Sequence, residues 1–170
     1  GILVVLRDPS PLPDGAVTAA ALVPALKDLS PDLLLFGKQA VDDDAALVPA
    51  LVCHALSLPL VSVVQKLSIE GGRATAHRQV EGGYEVVETS LPAGFTCQKG
   101  LNEPRYATLP NIMKAKKKPI EERQAPEAAA RTRIVRLEPP PARAPGRIVG
   151  KGPGAVPELL RLLREEAKVL

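Results

Sequence analysis

Two short apolar runs, ILVVL at Ile2–Leu6 and LLLF at Leu33–Phe36, constrain the fold more than anything else in the chain. Each is too short for a core helix and holds no polar residue, the pattern of a strand in a parallel sheet covered on both faces. Between them Val17, Leu22, Val23, Leu26 and Leu29 recur at helical spacing behind Asp14, a residue type that caps helices by accepting from first-turn N–H groups. Pro24 falls inside that pattern and predicts a kink or a broken turn. Strand, helix and strand over about 35 residues make a right-handed βαβ unit.

Beyond Phe36 the chain leaves the carboxyl end of the second strand through Gly37–Asp44 and enters a helix carrying Val48, Leu51, Val52, Ala55 and Leu56. Ligands of open α/β sheets bind at such strand ends, where glycine permits close backbone approach and free helix N–H groups attract anions. The letters GKQ do not make a phosphate-binding P-loop, because no glycine stands at Asp32 and no Ser or Thr follows Lys38. Taken alone, Asp42, Asp43 and Asp44 read most simply as capping and first-turn carboxylates, and three consecutive aspartates diverge too far to make a good metal site. From Leu60 to Cys97 the period changes to alternation, in LSIE and YEVVE, with Gly71-Gly72 and Gly82-Gly83 at hairpin distances. Two or three antiparallel strands therefore extend the parallel sheet. His77 and Arg78 sit on the middle one, where a lone histidine is a solvated or core-edge residue rather than a catalytic one.

With two Phe, two Tyr and no Trp among 170 residues, the core must be aliphatic, and 18 prolines point to long irregular segments. Cys53 and Cys97 lack metal spacing and suit a reducing compartment as small buried hydrophobes. No apolar run approaches the roughly 20 residues a bilayer requires. A net charge of +3 concentrates near Lys114–Lys118, too local for a broad nucleic-acid surface.

That lysine cluster closes the stretch LNEPRYATLPNIMKAKKKP, Leu101–Pro119. Its periodicity is too weak for a helix and its residue types too committed for a spacer, so it reads as a docking loop. Pro104 and Pro110 preorganise it, while Leu109, Ile112 and Met113 have no core to enter. Burying one such leucine in a partner's pocket contributes roughly 1.5–3 kcal/mol, enough for a brief encounter. After the loop, 121–150 is an irregular connector around one strand-like piece, RIVRLEP at Arg133–Pro139. A final helix spans Pro157–Val169, with Leu159, Leu162, Leu163 and Leu170 as its stripe and an Arg161–Glu165 pair. Tethered by so long an arm, that helix packs away from its own domain.

The Leu101–Lys118 motif and the upstream block PDLLLFGKQAVDDD, Pro31–Asp44, together resemble the electron transfer flavoprotein β subunit, weakly in places but from end to end. The resemblance implies a Rossmann-like, adenine nucleotide α hydrolase-like domain over residues 1–120, lacking roughly its first third. It also implies a recognition loop at 98–119, an arm at 121–150 and a C-terminal helix at 151–170 laid on the partner subunit. The implied protein is an electron carrier and not an enzyme. Its α subunit holds FAD, and the heterodimer passes electrons from flavin dehydrogenases, such as the acyl-CoA dehydrogenases of fatty acid oxidation, to a membrane quinone oxidoreductase. Neither nucleic-acid binding nor membrane insertion is implied, and the compartment is the bacterial cytoplasm or the mitochondrial matrix.

The same resemblance makes Leu109 the anchor, flanked by Pro110, Ile112, Met113, Lys114 and Lys117, the two lysines matching positions methylated in some relatives. It makes Gly37, Lys38, Gln39, Ala40, Asp42, Asp43 and Asp44 the binding segment for a structural AMP, favoured here over a second FAD. Where many relatives continue with Asn-Gln-Thr-Gly, this chain has Ala46, Leu47, Val48 and Pro49, leaving phosphate contact to backbone groups. The contrasting expectation is a nucleic-acid- or adenine-nucleotide-binding module without a redox role, with Lys114, Lys116, Lys117 and Lys118 on phosphate.

Overall fold

In the order of the chain the elements are β1 (Ile2–Val5), α1 (Gly15–Leu29), β2 (Leu33–Gly37), α2 (Val48–Ala55), β3 (Leu60–Glu70), β4 (Arg73–Val80) and β5 (Gly83–Ser90), followed by β6 (Ala93–Cys97), α3 (Leu109–Lys116), β7 (Glu121–Gln124) and α4 (Val156–Glu165). They come from a computed structural model that describes residues 1–6, 13–143 and 145–170. Two compact units result, Gly1–Arg133 and Ile134–Leu170.

The main sheet runs β2-β6-β3-β4-β5. Its first three strands are parallel and the rest antiparallel, so the expected parallel sheet with an antiparallel extension is the observed one. β6 enters between β2 and β3 although it comes last of the five, and four of its five residues are buried. Gly94 shows why this strand is so small: a Cβ there would lie 2.4 Å from the Cys53 sulfur of α2. α2 packs on that face, while Val61, Val64, Ala74, Ala76, Ala93 and Phe95 form the core on the other, closed by Leu91 and Leu101.

β3 changes partner from β6 to β4 at an irregularity in its pairing. Val63 sits there at φ +60°, a conformation that β-branched residues seldom adopt, and its N–H donates to the Thr96 hydroxyl at 2.8 Å. Gly71 and Gly72, both at positive φ, make the two-residue turn between Glu70 and Arg73, as a type I′ hairpin demands. The second hairpin is one residue out of the expected place. Val80 pairs with Gly83, so Glu81 and Gly82 form the turn and Gly83 belongs to β5.

The βαβ expectation needs correction. Among the described residues β1 pairs only with β7, in a separate two-stranded sheet, and β2 lies in the other sheet. β7, with the sequence EERQ, falls in the stretch expected to be irregular, because four polar residues carry no apolar alternation to signal a strand. Neither apolar run is buried on both faces. Leu3 of β1 is exposed, and Leu35 of the edge strand β2 is 56% exposed.

Asp14 caps α1 as expected, accepting from the N–H groups of Ala16 and Val17 at 3.0 Å each. The helix runs through Pro24 without interruption from Gly15 to Leu29. Its buried residues are Ala19, Ala21 and Ala25, while Leu29 is exposed, so close packing against α2 selects the small side chains over the leucine stripe. Arg123 of β7 donates to Asp28 of α1 at 2.7 Å, fastening the small sheet beneath the helix.

Arg133–Pro139, which begins with the last residue of the first unit, forms no strand, and Val135 and Leu137 are exposed. α4 ends at Glu165 and not Val169, with Lys168 at φ +53°, so Leu170 falls outside the helical stripe. Arg161 pairs with Glu165 at 2.8 Å as expected, and also with Glu158 at 2.7 Å.

Candidate functional site

Residues 102–120 are all exposed, and within them stands α3, a helix where a loop was expected. Pro110 occupies the first turn, where its missing N–H has no helical partner to lose and its fixed φ suits the start. Lys114 and Lys116 lie in the last turn, where the helix dipole favours cations. Apolar residues at 109, 112 and 113 conceal the helix from a search for longer periodicity, yet once it forms they share one face. Leu109 is 73% exposed, Ile112 41% and Met113 51%. The predicted docking residues therefore make one apolar stripe with lysines at its carboxyl end. Tyr106 precedes it, fully exposed.

The second candidate lies at the carboxyl end of β2, where a cleft of about 350 Å³ is lined by Gly37, Lys38, Gln39, Ala40 and Asp43 on one side and Ala45–Pro49 on the other. Asp42 and Asp44 stand outside that lining. The three aspartates do not cap α2: the helix begins at Val48, its first turn holds no acid, and its N-cap is Leu47. Instead they organise the loop. Asp42 accepts from the N–H of Asp43 at 3.0 Å, Asp43 from that of Ala45 at 3.1 Å, and Asp44 from the Gln39 amide at 2.7 Å. Asp44 and Ala46 adopt left-handed conformations at φ +50° and +51°, curling the chain around the cleft. Three lining residues, Ala45, Phe36 and Gly15, were not among those expected from the sequence. Phe36 is the last side chain of the strand, and Gly15 opens α1 so near Leu47 that a Cβ there would lie 3.3 Å from a Leu47 methyl.

For the expected adenine nucleotide the cleft offers polar side chains on its loop side only. Lys38 supplies a cation, and Asp43 an acceptor for a hydroxyl or amine. The helix side offers alkyl side chains, and Pro49 in the first turn of α2 removes one of the N–H groups that would face a phosphate. Cys53 and Cys97 are free, and burial raises the pKa of both thiols, which leaves them neutral packing groups. Among the described residues no cluster of His, Cys, Asp and Glu could hold a metal, and no helix is long and apolar enough to cross a membrane.

A family model described as the electron transfer flavoprotein domain matches residues 3–128. The chain is 37% identical, over 99% of its own length and 69% of the relative's, to the electron transfer flavoprotein subunit beta of Bacillus subtilis. It is 38% identical to the mitochondrial electron transfer flavoprotein subunit beta of Oryza sativa subsp. indica, over 98% of this chain and 66% of that one. The caffeyl-CoA reductase-Etf complex subunit CarD of Acetobacterium woodii is 38% identical over 80% of this chain and 56% of its own. Across such relatives the chain spans between 47% and 69% of their length.

Proposed function

The chain belongs to the electron transfer flavoprotein family as a β subunit, and from that premise we propose that it docks flavin dehydrogenases through α3 while a separate α subunit carries the redox-active FAD. The observation supporting this reading most directly is the exposed stripe of Leu109, Ile112 and Met113, which ends in lysines and has no buried residue in its helix. Leu109 is the anchor. A single leucine buried in a partner's pocket contributes roughly 1.5–3 kcal/mol, strong enough to hold the dehydrogenase during transfer and weak enough to let it go. Lys114 and Lys117 steer the encounter toward an acidic rim, raising the association rate more than the affinity.

The electrons come from acyl-CoA dehydrogenases and related flavoenzymes and leave to a membrane quinone oxidoreductase, in the bacterial cytoplasm or the mitochondrial matrix. The chain contributes position to this exchange and performs no chemistry of its own. α4 presents Leu159 and Leu160 on an exposed apolar face, and by this reading it packs on the α subunit. AMP occupies the cleft at Gly37–Ala40 and Asp43, with Lys38 as the side-chain cation available to its phosphate and Asp42 and Asp44 holding the loop in shape.

Stopped-flow transfer from a reduced acyl-CoA dehydrogenase to the co-expressed flavin-bearing heterodimer tests the docking role. Leu109→Ala should slow the second-order step at least tenfold with flavin content unchanged; identical kinetics would remove α3 from the interface.

A further inference from the structure

We infer that Asp14 clasps the root of the C-terminal arm, fixing the point at which the chain leaves the first unit. The inference is independent of the function proposed above, since it concerns contacts within residues 1–133. One carboxylate divides its work between two segments far apart in sequence. Its Oδ1 caps α1 by accepting from the N–H groups of Ala16 and Val17. Its Oδ2 accepts from the N–H of Arg131 at 2.6 Å, from the N–H of Thr132 at 2.8 Å and from the Thr132 hydroxyl at 3.1 Å.

Two consecutive backbone N–H groups aimed at one anionic oxygen form a charge-assisted pair at the short end of the range for N–H donors. Upstream of this point the chain is held by the β1–β7 pairing, whose last backbone contact is the Ala125 N–H to the Val5 carbonyl. From Pro126 to Arg133 no strand or helix is formed, and among the described residues the clasp is the hydrogen bonding that returns this segment to the body. Hydrogen bonds from the Val17 N–H first, then from the N–H groups of Thr132 and Arg131 and the Thr132 hydroxyl, hold the Asp14 carboxyl well below its ordinary range, at about 2, although desolvation opposes them, so the anion persists at neutral pH. The consequence is geometric. The second unit begins at Ile134, two residues after the clasp, so its tether starts from a fixed root and not from a loose loop.

Asp14→Asn separates the clasp from the cap. Asparagine is an equally good N-cap through its single oxygen, but its NH₂ replaces Oδ2 and cannot accept from Arg131 or Thr132. Amide hydrogen exchange would be read by mass spectrometry on the purified full chain. In the native chain the amides of Arg131 and Thr132 should exchange slowly. In Asp14→Asn they should speed up about tenfold, the worth of one charge-assisted hydrogen bond, with Ala16 and Val17 unchanged. Thr132→Val, which removes only the hydroxyl contact, should give a smaller acceleration at the same two amides. Equal exchange at Arg131 and Thr132 in the native chain and in Asp14→Asn, whether fast or slow, overturns the clasp. Acceleration of Ala16 and Val17 to the same extent also overturns it, because the effect is then general loosening of α1.

Discussion

α2 and α3 are both eight residues long, both carry proline in the first turn, and neither has a side-chain N-cap bond. Their fates are opposite. α2 buries Pro49, Val52 and Cys53, with Val52 wholly inaccessible, whereas α3 buries nothing. Helices of this length are marginal by themselves. α2 is held by tertiary packing, its Cys53 sulfur seated on the bare backbone of Gly94. α3 relies on its proline start, its good helix formers and the lysines at its carboxyl end. A helix with its apolar stripe turned outward has packing still to gain from another molecule, and a helix with its stripe turned inward has none. That difference separates a helix of the core from one with an uncovered apolar stripe.

The comparison breaks first at Val52. Val52→Ala should destabilise the chain by about 2–3 kcal/mol, from lost burial and the cavity left behind, measured by urea denaturation of the assembled protein; a loss below about 0.5 kcal/mol would put α2 outside the core. Leu109→Ala reverses the pattern. It should leave the denaturation midpoint unchanged while weakening dehydrogenase docking by roughly 1.5–3 kcal/mol, and a shift in the midpoint would show α3 to be packed after all. Gly94→Ala forces a methyl into the space of the Cys53 sulfur and should cost about 1–2 kcal/mol by overpacking. The double variant Gly94→Ala with Cys53→Ala should recover part of it, and the absence of recovery would mean that Cys53 is not what meets the new methyl.

Smaller still, Lys117→Glu should slow association with the dehydrogenase by no more than about fivefold, as expected for one exposed charge pair. The effect should vanish at high salt, and a salt-independent loss would point to a direct contact in place of steering. The last effect lies at the start of α1. The Asp14 carboxyl is lowered from 3.8 to about 2 in the folded chain, so its contribution to stability is fully present above pH 4 and disappears as pH falls through 2. Asp14→Asn should flatten that part of the pH–stability profile, and an unchanged profile would mean that another group titrates there.

Several elements were legible in the residues alone because their signals are local. Asp14 before an apolar periodic run announces a cap, paired glycines at Gly71-Gly72 announce a tight hairpin, and proline followed by Lys114–Lys118 announces an exposed basic segment. The exposure of Leu109, Ile112 and Met113 was legible for the same reason, since they stood among polar neighbours with no core to join. The helix that carries them was not legible, because eight residues hold too few repeats to show a period. The cleft was half legible. Gly37–Asp44 was visible as a strand-end loop, but Gly15 joins it from the start of α1 through proximity to Leu47.

What the sequence determined by itself is therefore the strands and helices with strong local signals, β1, β2, α1, α2 and the β3–β5 hairpins, the Gly71-Gly72 turn, and which apolar groups lack a natural place inside. These follow from propensity and period, properties of a residue and its near neighbours. Only the tertiary structure decided that β6 slips between β2 and β3, that β1 pairs with the polar strand β7, that alanines and not leucines face inward on α1, and that Asp14 reaches Thr132 across 118 positions. Each depends on which surfaces meet, and pairing between distant segments is selected by shape and by hydrogen-bond groups left unsatisfied, neither of which is written in any one stretch of the chain.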